Sequence, residues 1–338
     1  MSDIAAPYLI YLGDAPVAEL AKTGAGLAFW RPERCLAQLR EPGCAADLGL
    51  PEMTLQEAAA RGAKTLVIGT SAPGGQLPAR WVARLAEAME AGLDLASGLH
   101  LPLRSIPALN EVAERTGRRV HDVRLSGGPH PIATGLPRSG HRLLTVGTDC
   151  AVGKKYAALA IHKALVARGV PATFRATGQT GVLIDGHGVA IDAIVSDFLA
   201  GAVEALTPAA PANHWDIVEG QGSIVHPAYA GVTLGLLHGA QPDSFVVCHE
   251  AGRDELLGFP GHKTGGIGQV IALITELGRC VSPAIRCVGI SLNTSRLSEA
   301  EARGAMAEVS RRHSLPVCDP VRFGVDAIVD PLCGRRAD

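Results

Sequence analysis

TVGTDCAVGKKYAALAIHKAL spans Thr145 to Leu165. A β-branched apolar run enters a glycine-bearing turn, and Gly153-Lys154 opens a helical pattern, so strand, loop and helix follow without a break. Gly147 and Gly153 bracket five residues, one more than the commonest phosphate-binding loop. The spacing still works physically. Successive backbone N–H groups can point into a concavity, the helix N-terminus adds its dipole, and Lys154 brings a charge to bound phosphate. Gly147, Thr148, Asp149, Cys150, Ala151, Val152, Gly153, Lys154 and Lys155 are therefore expected to cradle phosphate. A glycine turn before an ordinary helix is the alternative these residues leave open.

The residue after Gly-Lys is normally Ser or Thr, whose hydroxyl ligates the magnesium that bridges a nucleotide's terminal phosphates. Here it is Lys155. A lysine supplies charge but no ligand oxygen, so magnesium-dependent hydrolysis is disfavoured and no metal is expected. Two adjacent lysines beneath a helix N-terminus suit a pyrophosphate or phosphomonoester that is to be neutralised without being cleaved. Coenzyme A carries both kinds of group.

Working outward, strand-like runs alternate with helical patterns along the chain. YLIYLG (Tyr8 to Gly13), TLVIGT (Thr65 to Thr70) and LDLASGLH precede the loop; PATFRATG, HWDIVEG, SFVVCHE and IRCVGISLNT follow it. The Gly/Pro/Ser-rich segment Leu125 to Arg142 is the best boundary. The expectation is an α/β protein with a smaller Rossmann-like domain over 1–135 and a P-loop NTPase-like, doubly wound, mainly parallel sheet over 136–338. The loop SAPGG, Ser71 to Gly75, does not match GxGxxG, so no dinucleotide is inferred there.

At 338 residues, 47% hydrophobic and 19% charged, the composition is that of a folded globular protein. A formal net charge of -2 argues against a broad nucleic-acid footprint. No apolar run is long enough to cross a membrane, and the first residues lack a basic, then apolar, leader, so a cytoplasmic location is expected. The eight cysteines contain no CxxC pair and suggest neither disulfides nor zinc. Small-molecule partners and a homo-oligomer are the expectation for an enzyme of this size.

GTDCAVGK resembles the loop of dethiobiotin synthetase and related ATP-dependent enzymes, and WDIVEGQGS resembles their EGxGG segment, in which the carboxylate corresponding to Glu219 helps hold the metal. A carboxylate capping the next helix is the plainer reading of Glu219. Over longer strings (VGTDCAVGKKYAALAIHKAL, FRATGQTGVLIDGHGVAIDAIVSDFLAGAVEAL, VEGQGSIVHPAYAGVTLGLLHGAQPDSFVVCHE and LNTSRL) the chain resembles a bacterial family formerly catalogued as a domain of unknown function, whose characterised members are D-glutamate N-acetyltransferases. YLGD, LVIGTSAPGG and GLDLASGLHLPL extend that resemblance through the first domain.

The resemblance implies acetyl-CoA as co-substrate and an acidic amino acid as acceptor, on a P-loop-type fold. The donor must be fixed, the amine deprotonated and the oxyanion stabilised. Two carboxylates of the acceptor must also be held, and Arg175 and Arg253, at strand ends, are candidate clamps, with structural ion pairing the even alternative. Gln179 and Thr180, in the GQTG turn, are candidate donors to the substrate, and Asn293, ending another strand, is a candidate nucleotide contact. Glu219 is the first candidate base, with His226 and His249 as alternatives. Cys150 invites a covalent acetyl-enzyme, but no neighbouring residue in the sequence is clearly a base, so direct attack in a ternary complex is preferred. An ATP-dependent ligase or kinase, and a non-catalytic nucleotide-binding protein, are the competing classes.

Overall fold

A computed structural model of the chain describes residues 4–72, 76–125 and 129–333. Pro73, Gly74 and Gly75 of the SAPGG loop, and residues 126–128 of the boundary segment, lie outside the described residues. The chain packs as two units, Met1–Gly127 with Gln179–Ala193, and Gly128–Gly178 with Ile194–Asp338. The sequence places one boundary near residue 136; packing puts residues 128–135 with the second unit and residues 179–193 with the first.

The first unit holds five parallel strands: β1 (Tyr8–Gly13), β2 (Cys35–Arg40), β3 (Thr65–Ile68), β4 (Asp94–Ser97) and β5 (Val120–Asp122), in the order β2-β1-β3-β4-β5. Every residue of β1, β3 and β4 is buried, the mark of a parallel sheet covered on both faces, and this is why those runs are mainly apolar rather than alternating, with Thr65, Asp94 and Ser97 at the strand ends. Tyr11 meets Trp81 edge-on at 5.5 Å, and both polar ends find partners: the Tyr11 hydroxyl donates to Glu41 and the Trp81 indole to Asp14. Helix Gln179–Asp185 joins this unit. Thr180 shares a hydrogen bond with Thr23 at 3.0 Å, Arg31 donates to the Ile184 carbonyl, and Asp192 pairs with Arg124.

The second unit is a six-stranded parallel sheet of β6 (His141–Gly147), β7 (Ala172–Arg175), β8 (Trp215–Val218), β9 (Ser244–Glu250), β10 (Arg286–Asn293) and β11 (Val317–Cys318). Its order, β11-β10-β9-β6-β8-β7, is that of a doubly wound sheet. After β6 the chain moves to β7 and back to β8 on one side, then crosses to β9 on the other, so the topological switch falls at the C-terminal end of β6, where the loop lies. Both parallel sheets agree with the expected α/β class. Among the described residues no helix is long and apolar enough to cross a membrane.

Gly13 closes β1 at φ +55°, and a Cβ there would stand 2.1 Å from Trp81 Cζ2. Gly13→Ala is expected to cost about 2–4 kcal/mol, backbone strain plus overpacking. Gly92→Ala, at φ +93° with nothing within 4 Å of the added methyl, should cost only the backbone share, about 1 kcal/mol. Urea unfolding of the two variants checks this; equal losses would mean that Trp81 yields freely.

Candidate active site

Loop 147–153 leaves β6 at Gly147 and delivers the chain to the helix Lys154–Ala167. Gly147 is required locally, because a Cβ there would lie 2.8 Å from Val152 Cγ2 and 3.2 Å from the Lys154 ammonium nitrogen. Ala151 (φ +56°) and Gly153 (φ +104°) take left-handed conformations, turning successive N–H groups inward. Among the described residues the N–H groups of Ala151, Val152 and Gly153 have no acceptor. The helix also lacks the side-chain cap that Thr54 and Ser298 supply to theirs. A concave row of donors at a helix N-terminus has the geometry of an anion-binding nest.

Buried contacts hold its shape. Asp149, fully buried, accepts from its neighbour Cys150 N on Oδ1 (2.6 Å) and from Leu257 N (2.8 Å) and Arg253 Nη1 (3.1 Å) on Oδ2. Arg253 also donates to the Cys150 carbonyl at 2.9 Å and pairs with Glu250. The Lys154 ammonium, buried, donates to the Asp149 carbonyl at 2.7 Å, and burial pulls its pKa below the ordinary lysine value. Thr148 shares a hydrogen bond of 2.8 Å with His249 Nδ1; burial, then the Arg253 charge, hold that imidazole's pKa low.

Glu219 follows β8, the neighbour of β6. Its Oε2 accepts from Thr177 N (3.0 Å) and Gly178 N (3.1 Å). Burial raises its pKa above the ordinary carboxylate value, and the Lys155 charge is the largest influence against that rise. Gly220 must be glycine, since a Cβ would fall 1.6 Å from the Thr145 carbonyl oxygen.

His226 is buried, stacked on Tyr229 and edge-on to Phe259. Its Nδ1 accepts from Ala228 N at 3.1 Å, which makes Nε2 the protonated nitrogen of the neutral ring; Nε2 has no hydrogen-bond partner and lies 4.0 Å from Asp149 Oδ1. Burial holds its pKa low. Asp149, Cys150 and a His226 ring nitrogen gather within 4.8 Å, close enough to share a cation. In this tautomer, however, the nitrogen facing Asp149 presents a proton rather than a lone pair, which suits neither metal ligation nor accepting a proton from Cys150.

The loop residues, Glu219, His226, His249 and Arg253 thus come together around the end of β6. Arg175 stands apart: its Nε donates to the buried carboxylate of Asp216 at 2.8 Å, a structural ion pair. Asn293 accepts from Ser295 N at 3.1 Å and shapes the turn after β10. Gln179 and Thr180 open a helix rather than a turn, because their segment is packed in the first unit. Leu257 and the bracing role of Arg253 were not legible, since their partner Asp149 lies more than a hundred residues away.

A parallel α/β sheet with a nested loop, a buried lysine beneath it and a carboxylate on the adjacent strand defines a P-loop-type protein. The chain belongs to the DUF1611 family: residues 131–329 match its P-loop domain and residues 39–126 its Rossmann-like domain, each described as a domain of unknown function. It is 49% identical to the D-glutamate N-acetyltransferase of Tritonibacter scottomollicae over 97% of this chain and 99% of that protein. It is 42% identical to the D-glutamate N-acetyltransferase of a Pseudoalteromonas species, over 97% and 98%. The crystal structure of a DUF1611 family protein from Anabaena variabilis superposes with a TM-score of 0.88 at 33% identity, over 98% of this chain and all of that one. The family resemblance drawn from the sequence is borne out by these matches.

Removing Arg253 leaves the Asp149 carboxylate buried without its cationic partner. Arg253→Ala is expected to cost about 3 kcal/mol in urea unfolding, within the usual cost of breaking a buried pair. An unchanged midpoint would show that the two remaining N–H donors suffice.

Proposed function

We propose that this protein is an N-acetyltransferase that moves acetyl from acetyl-CoA to the amine of D-glutamate, giving N-acetyl-D-glutamate and CoA. The observation that carries the reading is 49% identity, over nearly the whole of both chains, with a protein of that name. Lys155 supports the donor, because a cradle with two lysines and no hydroxyl in the magnesium-binding place suits phosphates that stay intact.

On this reading the N–H groups of Ala151 to Gly153, with Lys154 and Lys155, hold the donor's phosphates and fix where its thioester lies. The amine attacks the thioester carbonyl directly: a C–N bond forms, the C–S bond breaks, and the CoA thiolate leaves and takes up a proton. Glu219 accepts the proton that the ammonium must lose. A carboxylate raised by burial is a stronger base than an exposed one, and the two N–H groups on Oε2 fix its orientation. The Lys155 charge works against that rise and so favours the ionised form. His249, held low in pKa and bonded to Thr148, braces the cradle, and His226, also held low, packs beside Asp149. Arg253 braces it too. Small-molecule substrates, a cytoplasmic location and a homo-oligomer complete the proposal, with no metal required.

Purified protein mixed with acetyl-CoA and D-glutamate in EDTA should release CoA only when D-glutamate is present. ADP release from ATP and magnesium, with no CoA formed, would overturn the reading. Glu219→Gln should lower kcat by roughly 10²–10⁴, the range of one general base. Because the wild-type base must be deprotonated, kcat/KM should rise with pH through a midpoint above the ordinary glutamate range, and that limb should vanish in Glu219→Gln. A limb that persists in the variant would assign the base elsewhere.

A further inference from the structure

A cleft of about 680 Å³ opens in the second unit beyond the ends of β9 and β10, between the segment that leads into helix Ile267–Gly278 and the helix Glu299–His313. Two of its wall residues also touch the phosphate loop: His249 bonds Thr148, and Arg253 bonds Asp149 and the Cys150 carbonyl. The cleft therefore adjoins the loop. Arg253 is already engaged by carboxylates, but the side chains of Lys263 and Arg312 have no ion-pair partner among the described residues. Opposite polarity is available as well, in apolar Ile267 and Leu292.

We infer that this cleft holds the 3′-phosphorylated adenosine end of the donor, with Lys263 and Arg312 meeting the 3′-phosphate, while the loop takes the 5′-diphosphate. The inference rests on acetyl-CoA being the donor. Size favours it over the acceptor: the cleft falls within the roughly 300–1,000 Å³ of sites that enclose drug-sized ligands, and a five-carbon amino acid would leave most of it empty. Chemistry agrees. A purine offers a flat apolar face to Ile267 and Leu292, whereas a dicarboxylic amino acid has none. The same ribose carries the 5′-diphosphate and the 3′-phosphate, which matches a cleft two of whose wall residues, His249 and Arg253, bond to the loop. The carboxylates of Asp254 and Glu308, also on the wall, can accept from a ribose hydroxyl or the purine amine.

Calorimetry with adenosine 3′,5′-bisphosphate and with 5′-AMP tests the cleft without reference to turnover. Wild-type protein should bind the bisphosphate at least about tenfold tighter, a modest value for two charge-assisted contacts. The double variant Lys263→Ala with Arg312→Ala should lose that preference, and Arg312→Lys should restore part of it. In kinetics, 3′-dephospho-acetyl-CoA should show a raised KM with wild type and no further rise with the double variant. Arg312 also sits in the last turn of its helix, so thermal unfolding separates a loss of stability from a loss of binding. Equal affinity of wild type for the two nucleotides overturns the inference, as does a variant that raises the KM for D-glutamate alone. If wild type prefers the bisphosphate but releases no CoA with D-glutamate, the acceptor reading fails and the cleft stands.

Discussion

The buried carboxylate of Asp149 is the constraint on which the rest of the site depends. A charge with no exposed surface must be fully compensated, and Asp149 meets that demand with two backbone N–H groups and the Arg253 guanidinium. The partners come from two parts of the second unit, the loop itself and the segment after β9. Cys150 N fixes the turn of the loop on itself, while Leu257 and Arg253 tie it to the segment after β9. Because Arg253 continues to the Cys150 carbonyl and to Glu250, the loop is shaped before any ligand arrives. Preorganised donors do not reorganise at the moment of binding, so their attraction for phosphate is not spent on ordering the loop.

Lys155 and Glu219 are the second linked pair. In a magnesium-dependent loop the hydroxyl at this place and the carboxylate on the neighbouring strand would both serve the ion. Here the hydroxyl is replaced by an ammonium, and its charge acts on the buried Glu219 against the desolvation that would otherwise keep that carboxyl protonated. On the proposed reading this one difference has two consequences of the same sign: it withdraws a metal ligand and favours the ionised form of the proposed base. That coupling explains why a loop of nucleotide-binding shape is compatible with acyl-transfer chemistry, since fold alone does not settle the reaction.

Much of the fold was legible because parallel strands buried on both faces are mainly apolar, as in YLIYLG, TLVI and, Asp216 apart, WDIV. The strands that pattern reading passed over, β2 and β5, are the two edges of the first sheet; CLAQLR mixes polar residues into a half-buried run and VHD spans three residues. GQTG reads as a turn, with two glycines in four residues, but Gln179 and Thr180 open the helix Gln179–Asp185, whose packing with Thr23 and Arg31 outweighs the weakness of Gly181. At the site, the loop and Glu219 were readable from contiguous motifs. The Arg253–Asp149 and Thr148–His249 pairs were not, because their members are 104 and 101 residues apart and only the sheet order brings them together. Arg175 illustrates the converse: a strand-end arginine looks like a clamp until the buried Asp216 on the next strand is seen to need it.

On the proposed reading, the phosphate-binding machinery touches no atom that reacts. Contacts of that kind bind ground state and transition state alike, and by themselves lower KM without raising kcat. They contribute to rate only if they fix the thioester against the amine, and that requires the donor to be held at more than one point, since a single phosphate contact leaves the rest of a long flexible molecule free to rotate. A loop for the diphosphate and a cleft for the far end of the nucleotide provide two points joined by a rigid ribose. The pantetheine arm then leaves from a fixed origin, and the remaining freedom is that of the arm alone. A metal ion bridging the phosphates would add charge stabilisation where no bond is being made, and that is the physical sense in which two lysines suffice.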